Sequence, residues 1–195
     1  MEKTMRYEKG HKDATRQRII EVASGQFRES GIAAVGLAAI MNDAGLTNGA
    51  FYAHFDSKED LVRTVLFNAL DKREETLRTV ADAGASLEQA LRDYLSTRHR
   101  DNPGRGCPTA ALVAEVARHP NKTRDAFTGK ISGIIALIAA RIHTGPAAAR
   151  RRKAIAIYGM MVGTLQLARA VNDKEISDEI LQSGIDAALA LAGER

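Results

Sequence analysis

Residues 37–61, LAAIMNDAGLTNGAFYAHFDSKEDL, read as two short helices joined by a tight turn and followed at once by the start of a long helix. Leu37, Ile40 and Met41 stand at i, i+3 and i+4, the core stripe of a short helix. Gly45 ends it, because glycine enters the left-handed cap conformation without a Cβ penalty. Thr47 is a suitable N-cap for a second helix carrying Ala50, Phe51 and Tyr52. Helix, glycine-containing turn and helix make a helix-turn-helix, whose second helix lies in the DNA major groove. Spacing alone does not separate this unit from two short helices in any helical protein; the exposed identities do more. Thr47, Asn48 and Gly49 open the second helix with small or polar groups that can approach phosphate and base edges. Tyr52 and His54 project polar tips just beyond. Ser57 caps a third helix with Lys58 in its first turn, where lysine opposes the helix dipole but can meet a phosphate.

Working outward, residues 13–30 form the helix that precedes this unit, with Ile19, Ile20, Ala23 and Phe27 at helical spacing and Gly31 at its end. Phe27 is placed under the short helices with Ile40, Leu46 and Phe55. Residues 1–18 hold six cations (Lys3, Arg6, Lys9, Lys12, Arg16, Arg18) against Glu2, Glu8 and Asp13. Such a basic arm can follow a groove beside the recognition helix, or it can be a solvated terminus; Lys12 and Arg16 are the candidates for phosphate contact. The whole chain carries a net charge of +4, which permits nucleic-acid binding without proving it.

Beyond the quoted stretch the apolar pattern runs unbroken from Ser57 to about Ala81 through Leu61, Val65, Leu66, Phe67, Leu70, Leu77 and Val80. That is a rod of about seven turns, near 36 Å at 1.5 Å per residue, reaching from the first helices into the rest of the chain. Further helices are expected from Ser86 to Asp101-Asn102-Pro103-Gly104, from Gly106-Cys107-Pro108 to Arg118, from Asn121 to about His143, from Ala147 to Val171 and from Ile176 to Ala192. Composition agrees: 45% apolar residues, no Trp and no long β-branched alternation favour an all-α protein. No apolar run reaches the roughly 18 residues of a membrane span, the N-terminus has no apolar signal core, and one cysteine excludes an intrachain disulfide framework; a cytoplasmic protein is expected. The run Ala147 to Lys153 is read as a solvated helix face rather than a second DNA site.

From about Thr15 to Leu61 the chain resembles the TetR family of bacterial transcriptional regulators. Gly45-Leu46-Thr47, Gly49, Phe51-Tyr52, His54-Phe55 and Ser57-Lys58-Glu59 stand where that family's motif has them. Two places depart from it. The family usually has Thr or Ser before the first short helix, where this chain has Val35 and Gly36, which weakens an N-cap and a phosphate contact. The common Lys after Thr47 is Asn48 here, which exchanges a phosphate contact for a base-reading or water-mediated one. The resemblance implies an all-α fold of about nine helices: a three-helix helix-turn-helix DNA-binding domain over residues 1–56 and a helical ligand-binding and dimerisation domain over residues 57–195. It further implies a homodimeric repressor released from a palindromic operator by a small-molecule inducer or by modification of Cys107. The DNA contacts would be Lys12, Arg16, Thr47, Asn48, Gly49, Tyr52, His54 and Lys58, with Asn48 the base reader.

By analogy with the family, Leu66, Leu70, Tyr94, Cys107, Leu112, Phe127, Ile131 and Met161 would enclose a mainly apolar cavity, each of them equally at home in a plain core. Tyr94, Arg98, Glu115 and Gln166 would supply its few polar contacts. In the next-to-last helix Gly159 and Gly163 stand four apart with Ala156 below them, leaving a nearly flat face for a partner helix or for close packing within the chain. Tyr158, Val162 and, on the last helix, Ile185 add apolar area. Two-fold operators and the family's habit of pairing through its last two helices both favour a dimer interface there.

The chain holds no GxSxG, P-loop, GxGxxG or HExxH motif, and its five histidines are scattered with no zinc-like spacing to Cys107. No catalytic residue, metal site or cofactor is therefore expected. Cys107 stands near a helix N-terminus with Arg105 close by, a setting that favours thiolate; the alternative is a small buried hydrophobe at a helix start. Two readings from other classes stay open: a thiol-dependent enzyme using Cys107, and a helical scaffold without specific DNA binding.

Overall fold

The computed structural model describes the backbone of residues 2–193 and the side chains of residues 10–193. Helix α1 spans Glu2–Ser30 and so begins well before residue 13. The basic segment at its start continues the helix, and the side chains of Lys3, Arg6 and Lys9 lie outside the described residues. Ile19, Ala23 and Phe27, at i, i+4 and i+8, are buried along one face. Gly31, at φ +86°, ends the helix in the left-handed conformation while its N–H donates to the Phe27 carbonyl at 2.9 Å.

Helix α2, Leu37–Asp43, starts at Gly36, which offers no side-chain cap. Val35 and Ile40 fall at the positions of a hydrophobic staple and both lie in the same apolar core, so packing replaces the missing cap. Gly45, at φ +68°, closes α2: its N–H donates to Asn42 O at 2.9 Å and that of Leu46 to Met41 O at 2.8 Å, the two bonds of a Schellman turn. Arg18 donates to Ala44 O at 3.2 Å and holds this turn against α1. The next segment, Asn48–Ala53, is a 3-10 helix rather than an α-helix. Thr47 takes the N-cap backbone conformation, but its side chain makes no capping bond. Ser57 does cap: its hydroxyl accepts from Asp60 N–H at 3.1 Å and opens helix α3, Lys58–Asp82.

The single helix expected after Ser86 is two. Helix α4, Leu87–Tyr94, stops where Leu95 leaves helical geometry, and Ser96 caps the short α5, Thr97–Arg100. Pro103–Arg105 is a second 3-10 turn. Helices α6 (Pro108–Val116), α7 (Asn121–Ala140), α8 (Ala147–Ala170) and α9 (Lys174–Ala192) complete the chain. Asp173, rather than Ile176, marks the start of α9, since it caps Ile176 N–H at 3.0 Å. The described residues thus form nine α-helices and two 3-10 helices, without a strand.

Two apolar cores result. The head core gathers α1, α2 and the 3-10 segment with Leu61, Val62, Val65 and Leu66 of α3 and Leu112 and Val116 of α6, so it is not closed within residues 1–56. The body core is built from the far half of α3 and from α4, α7, α8 and α9. Helices α8 and α9 form an antiparallel pair whose close crossing depends on Gly184: a Cβ there would stand 2.5–3.0 Å from the Thr164 side chain. Gly159 and Gly163 do not serve that crossing, because nothing lies within 4 Å of where their Cβ atoms would be.

Candidate nucleic-acid interface and ligand cleft

The 3-10 segment is positioned from beneath. Phe51, 1% exposed, stacks on Phe55 at 5.6 Å between centroids, and both sink into the head core. Burying Phe51 turns its neighbours outward: Thr47, Asn48 and Gly49 are exposed, and Tyr52 is 70% exposed while its ring meets the edge of Phe51. A tyrosine that exposed gains little from packing and leaves its hydroxyl open to solvent. Beside it, Arg16 lies over the Phe55 ring with its guanidinium carbon 4.6 Å from the centroid, and Lys12 is exposed one turn earlier on α1. His54 is half-buried, its Nδ1 has no partner, and burial together with Lys12 and Arg16 lowers its pKa. It is therefore a neutral hydrogen-bonding group at physiological pH.

Lys58 has an internal partner. Its Nζ donates to Ile32 O at 2.8 Å, between α1 and α2. Its neighbour Glu59 accepts from Thr123 Oγ1 at 2.6 Å and pairs with His119 Nδ1 at 2.8 Å. Glu115 of α6 accepts from Ile32 N–H at 3.1 Å and Ala33 N–H at 2.9 Å. Lys58, Glu59 and Glu115 thus clasp the head to the body. Sequence reasoning passed over this use of Glu59 and Glu115, because their partners lie about 60 and 80 residues away.

A cleft of about 850 Å³ opens between the head and the body. Helix α1 contributes Ile20, Glu21, Ser24 and Arg28; α3 contributes Ala69, Lys72, Arg73 and Leu77; Tyr94, Arg98, Arg105 and Cys107 close the far side. Of the eight residues expected to enclose a mainly apolar cavity, Tyr94 and Cys107 line this cleft. Leu66 and Leu112 are buried in the head core, Phe127 packs against both cores, and Leu70 and Ile131 belong to the body core. Met161 borders a separate small void of about 20 Å³. Arg98 faces the cleft; Glu115 is in the clasp, and Gln166 borders a groove on the other side of Arg28.

The floor of the cleft is held by a polar corner. Cys107, 3% exposed, occupies the N-cap position of α6, and its N–H donates to His99 Nε2 at 2.8 Å. The other ring nitrogen, Nδ1, donates to Tyr94 O at 2.7 Å. One nitrogen accepts and the other donates, so this histidine is neutral; burial first, then Arg169, Arg73 and Arg98, lower its pKa to about 4. Arg169 fixes the corner to α8 by donating to His99 O at 2.7 Å and Arg100 O at 3.1 Å. Arg100, 8% exposed, reaches Ser177 at 2.8 Å and Asp178 at 2.5 Å on α9, and the hydrogen bonds it donates to Asp101 and Asp178 raise its pKa. Gly106 is needed for the approach, since a Cβ would stand 2.8 Å from His99 Nε2. Tyr94 and Tyr158 flank Cys107, and burial followed by the neighbouring Cys107 pushes both phenols above their ordinary range. Tyr94 Oη, buried at the cleft wall, has no hydrogen-bond partner.

Among the described residues no group of three His, Cys, Asp or Glu could hold a metal, and no helix is long and apolar enough to cross a membrane. On α8, Ala156, Gly159 and Gly163 are exposed, whereas Tyr158, Val162 and Ile185 of α9 are turned into the body core.

The sequence model described as bacterial regulatory proteins, tetR family, matches residues 19–65. The HTH-type transcriptional repressor KstR2 of Rhodococcus jostii is 35% identical over 81 residues, 40% of each chain. The HTH-type transcriptional regulator TtgR of Pseudomonas putida is 40% identical over 75 residues, 38% of this chain and 34% of that protein. The chain thus matches about two fifths or less of the length of these curated relatives. The likeness of fold extends further. The reduced form of NemR from E. coli superposes with a TM-score of 0.75 over 90% of this chain and 95% of its own, at 22% identity. The head of the chain, residues 19–65, thus matches the tetR family of bacterial regulatory proteins, and the chain shares its fold with NemR.

Proposed function

We propose that the protein is a homodimeric transcriptional repressor that binds a palindromic operator through paired heads and releases it when a small molecule occupies the body. The carrying observation is the Thr47–Tyr52 tip, which presents polar and aromatic groups to solvent from a segment whose apolar side is locked into the head core. In this reading Asn48 meets base edges, Thr47, Gly49 and Tyr52 approach phosphate or sugar, and Lys12 and Arg16 flank them from α1. His54 acts as a neutral hydrogen-bonding group, and Lys58 positions the head through Ile32 instead of contacting phosphate. Residues 1–56 read DNA, and residues 57–195 bind the second copy and, together with the α1 residues that line the cleft, the inducer.

The exposed, open face of Ala156, Gly159 and Gly163, flanked by the half-exposed Ile155 and Leu167, supports pairing through α8 and α9. The inducer occupies the cleft and favours a state whose two heads are wrongly spaced for successive major grooves. The protein acts in the cytoplasm, uses no cofactor and catalyses no reaction; it has no part in a membrane. Selecting bound duplexes from a random pool tests this directly. A salt-dependent, sequence-specific site is expected, and Tyr52→Ala should weaken it by roughly tenfold or more. If no specific duplex is enriched, the reading fails.

Modification of Cys107 is a second route to release: the thiol lines the cleft, though at 3% exposure a reagent must enter the cleft to reach it. Iodoacetamide should then release operator from the native chain and leave the Cys107→Ser chain bound. Alkylation of Cys107 with no loss of operator binding removes this route.

A further inference from the structure

The cleft wall is unusual in its charge. It carries Arg28, Lys72, Arg73, Arg98 and Arg105 against only Glu21 and Asp93. Among the described residues none of those five cations has a carboxylate within ion-pair distance, although Arg63, Arg78, Arg92, Arg100 and Lys130 all do. Arg28 is the telling member. It leaves the head helix and is half-buried, and its Nε donates to Gly104 O at 2.7 Å. Burial lowers its pKa, and the neighbouring Cys107 and Glu29 offset that only in part. Arg73 is likewise half-buried, its guanidinium carbon 5.3 Å from the Tyr94 ring centroid. The Tyr94 ring stands at the same wall with its hydroxyl buried beside Cys107. Between these groups Ile20, Ala69, Leu77, Val80 and Ala90 supply an apolar lining. The volume, about 850 Å³, is that of a pocket for an organic molecule rather than for a simple ion.

We propose that the ligand of this cleft is an amphiphilic organic anion, its apolar body on α3 and α4 and its carboxylate or phosphate bridging Arg28 of the head to Arg73 and Arg105 of the body. The proposal rests on the reading of the cleft as the inducer site and gives that inducer a chemical class. It also gives the site a mechanical sense. Arg28 lies next to Phe27 of the head core and about three turns from Arg16 on the same helix. An anion that grips Arg28 from the body side therefore fixes the tilt of α1 relative to α3 and α6. A neutral molecule of the same shape would occupy the volume without that grip.

The test uses 8-anilinonaphthalene-1-sulfonate and its uncharged counterpart N-phenyl-1-naphthylamine, titrated by fluorescence into the full chain without DNA. The sulfonate should bind saturably, one per chain, and about tenfold or more tighter than the neutral dye. Lys72→Met and Arg105→Met, at the exposed rim, should each weaken it by about two- to fivefold while leaving the melting temperature in place. Arg28→Lys should retain binding that Arg28→Met loses, and Arg151→Met, outside the cleft, should change nothing. Octanoate and octyl phosphate should displace the sulfonate, the stronger naming the head group, and octan-1-ol should not. Equal binding of the two dyes, displacement by octan-1-ol alone, or indifference to Lys72→Met and Arg105→Met overturns the proposal. No operator is present in these titrations, so failure to repress leaves their outcome untouched, and failure of the dye leaves the DNA reading to its own test.

Discussion

The tip of the head and the corner between α5 and α6 both carry polar side chains, and they use them in opposite ways. At the tip, Thr47, Asn48 and Tyr52 point into solvent, and beneath them the structure is apolar: Phe51, Phe55, Phe27 and Ile40. At the corner His99, Arg100 and Arg169 are drawn inward and paired with backbone carbonyls, Ser177, Asp178 and the Cys107 amide. Polar groups that face outward on a rigid apolar base are free to meet something else. Polar groups bonded to one another hold geometry, and at this corner they hold the wall of a cleft. The difference separates residues free to meet an outside partner from residues that position.

The largest expected effect tests the base of the tip. Phe27→Ala removes a ring that is 1% exposed and should cost about 3–5 kcal/mol in urea unfolding, with operator binding lost as a consequence. A loss well under about 1 kcal/mol would show that the head is not held from beneath. Next, Arg100→Leu breaks the corner's link to α9. About 2 kcal/mol is expected, less than for a fully buried pair because Asp101 and Asp178 remain exposed to water. Should the variant melt like the parent, the corner is not the framework described.

A smaller effect is expected as a pH dependence. His99 has a folded pKa of about 4 against an ordinary 6.5, so the folded state prefers the neutral ring. Its contribution to stability is complete above pH 6.5 and is lost as pH falls from there through 4. The melting temperature of the parent should therefore fall more between about pH 7 and 5 than that of His99→Gln; parallel curves would refute a neutral, buried role. Smallest of all, Asn48→Ala with Tyr52→Ala should leave stability within about 0.5 kcal/mol, since neither side chain is buried. A large loss of stability in that pair would break the contrast from the other side.

What could be read in the sequence follows the same division. Gly31, Gly45, Ser57 and Ser86 mark ends and starts through local chemistry, and the structure uses each of them so. The tip was legible because Phe51 and Phe55 bury one side of a short segment and its neighbours must then face out. The 3-10 form of Asn48–Ala53 was not, because its six residues form too few turns for periodicity to distinguish two helix types. The break at Ser96 was hidden behind the helical spacing of Leu87, Leu91 and Leu95; the serine caps a new turn instead of lying inside an old one. The cleft was illegible for a different reason. Its cations come from α1, α3 and the segments around α5, and no spacing along the chain gathers Arg28, Arg73 and Arg105. The one available signal was Arg28 itself, which follows Ile20 and Ser24 at i+4 intervals on a helix whose other face is core.

Helix α6 is nine residues long, and among them only Ala114 is exposed. Leu112 and Val116 fill the head core, Ala110 the body core, Thr109 receives the Tyr158 hydroxyl at 2.9 Å, and Glu115 is committed to the backbone of the head. A library of single substitutions scored for repression should therefore find its least forgiving segment here, at residues that would touch neither base, phosphate nor partner copy. Most replacements along α6 would be rejected for volume alone, and a sequence drifting under selection would keep this helix while the exposed tip and the cleft lining varied around it.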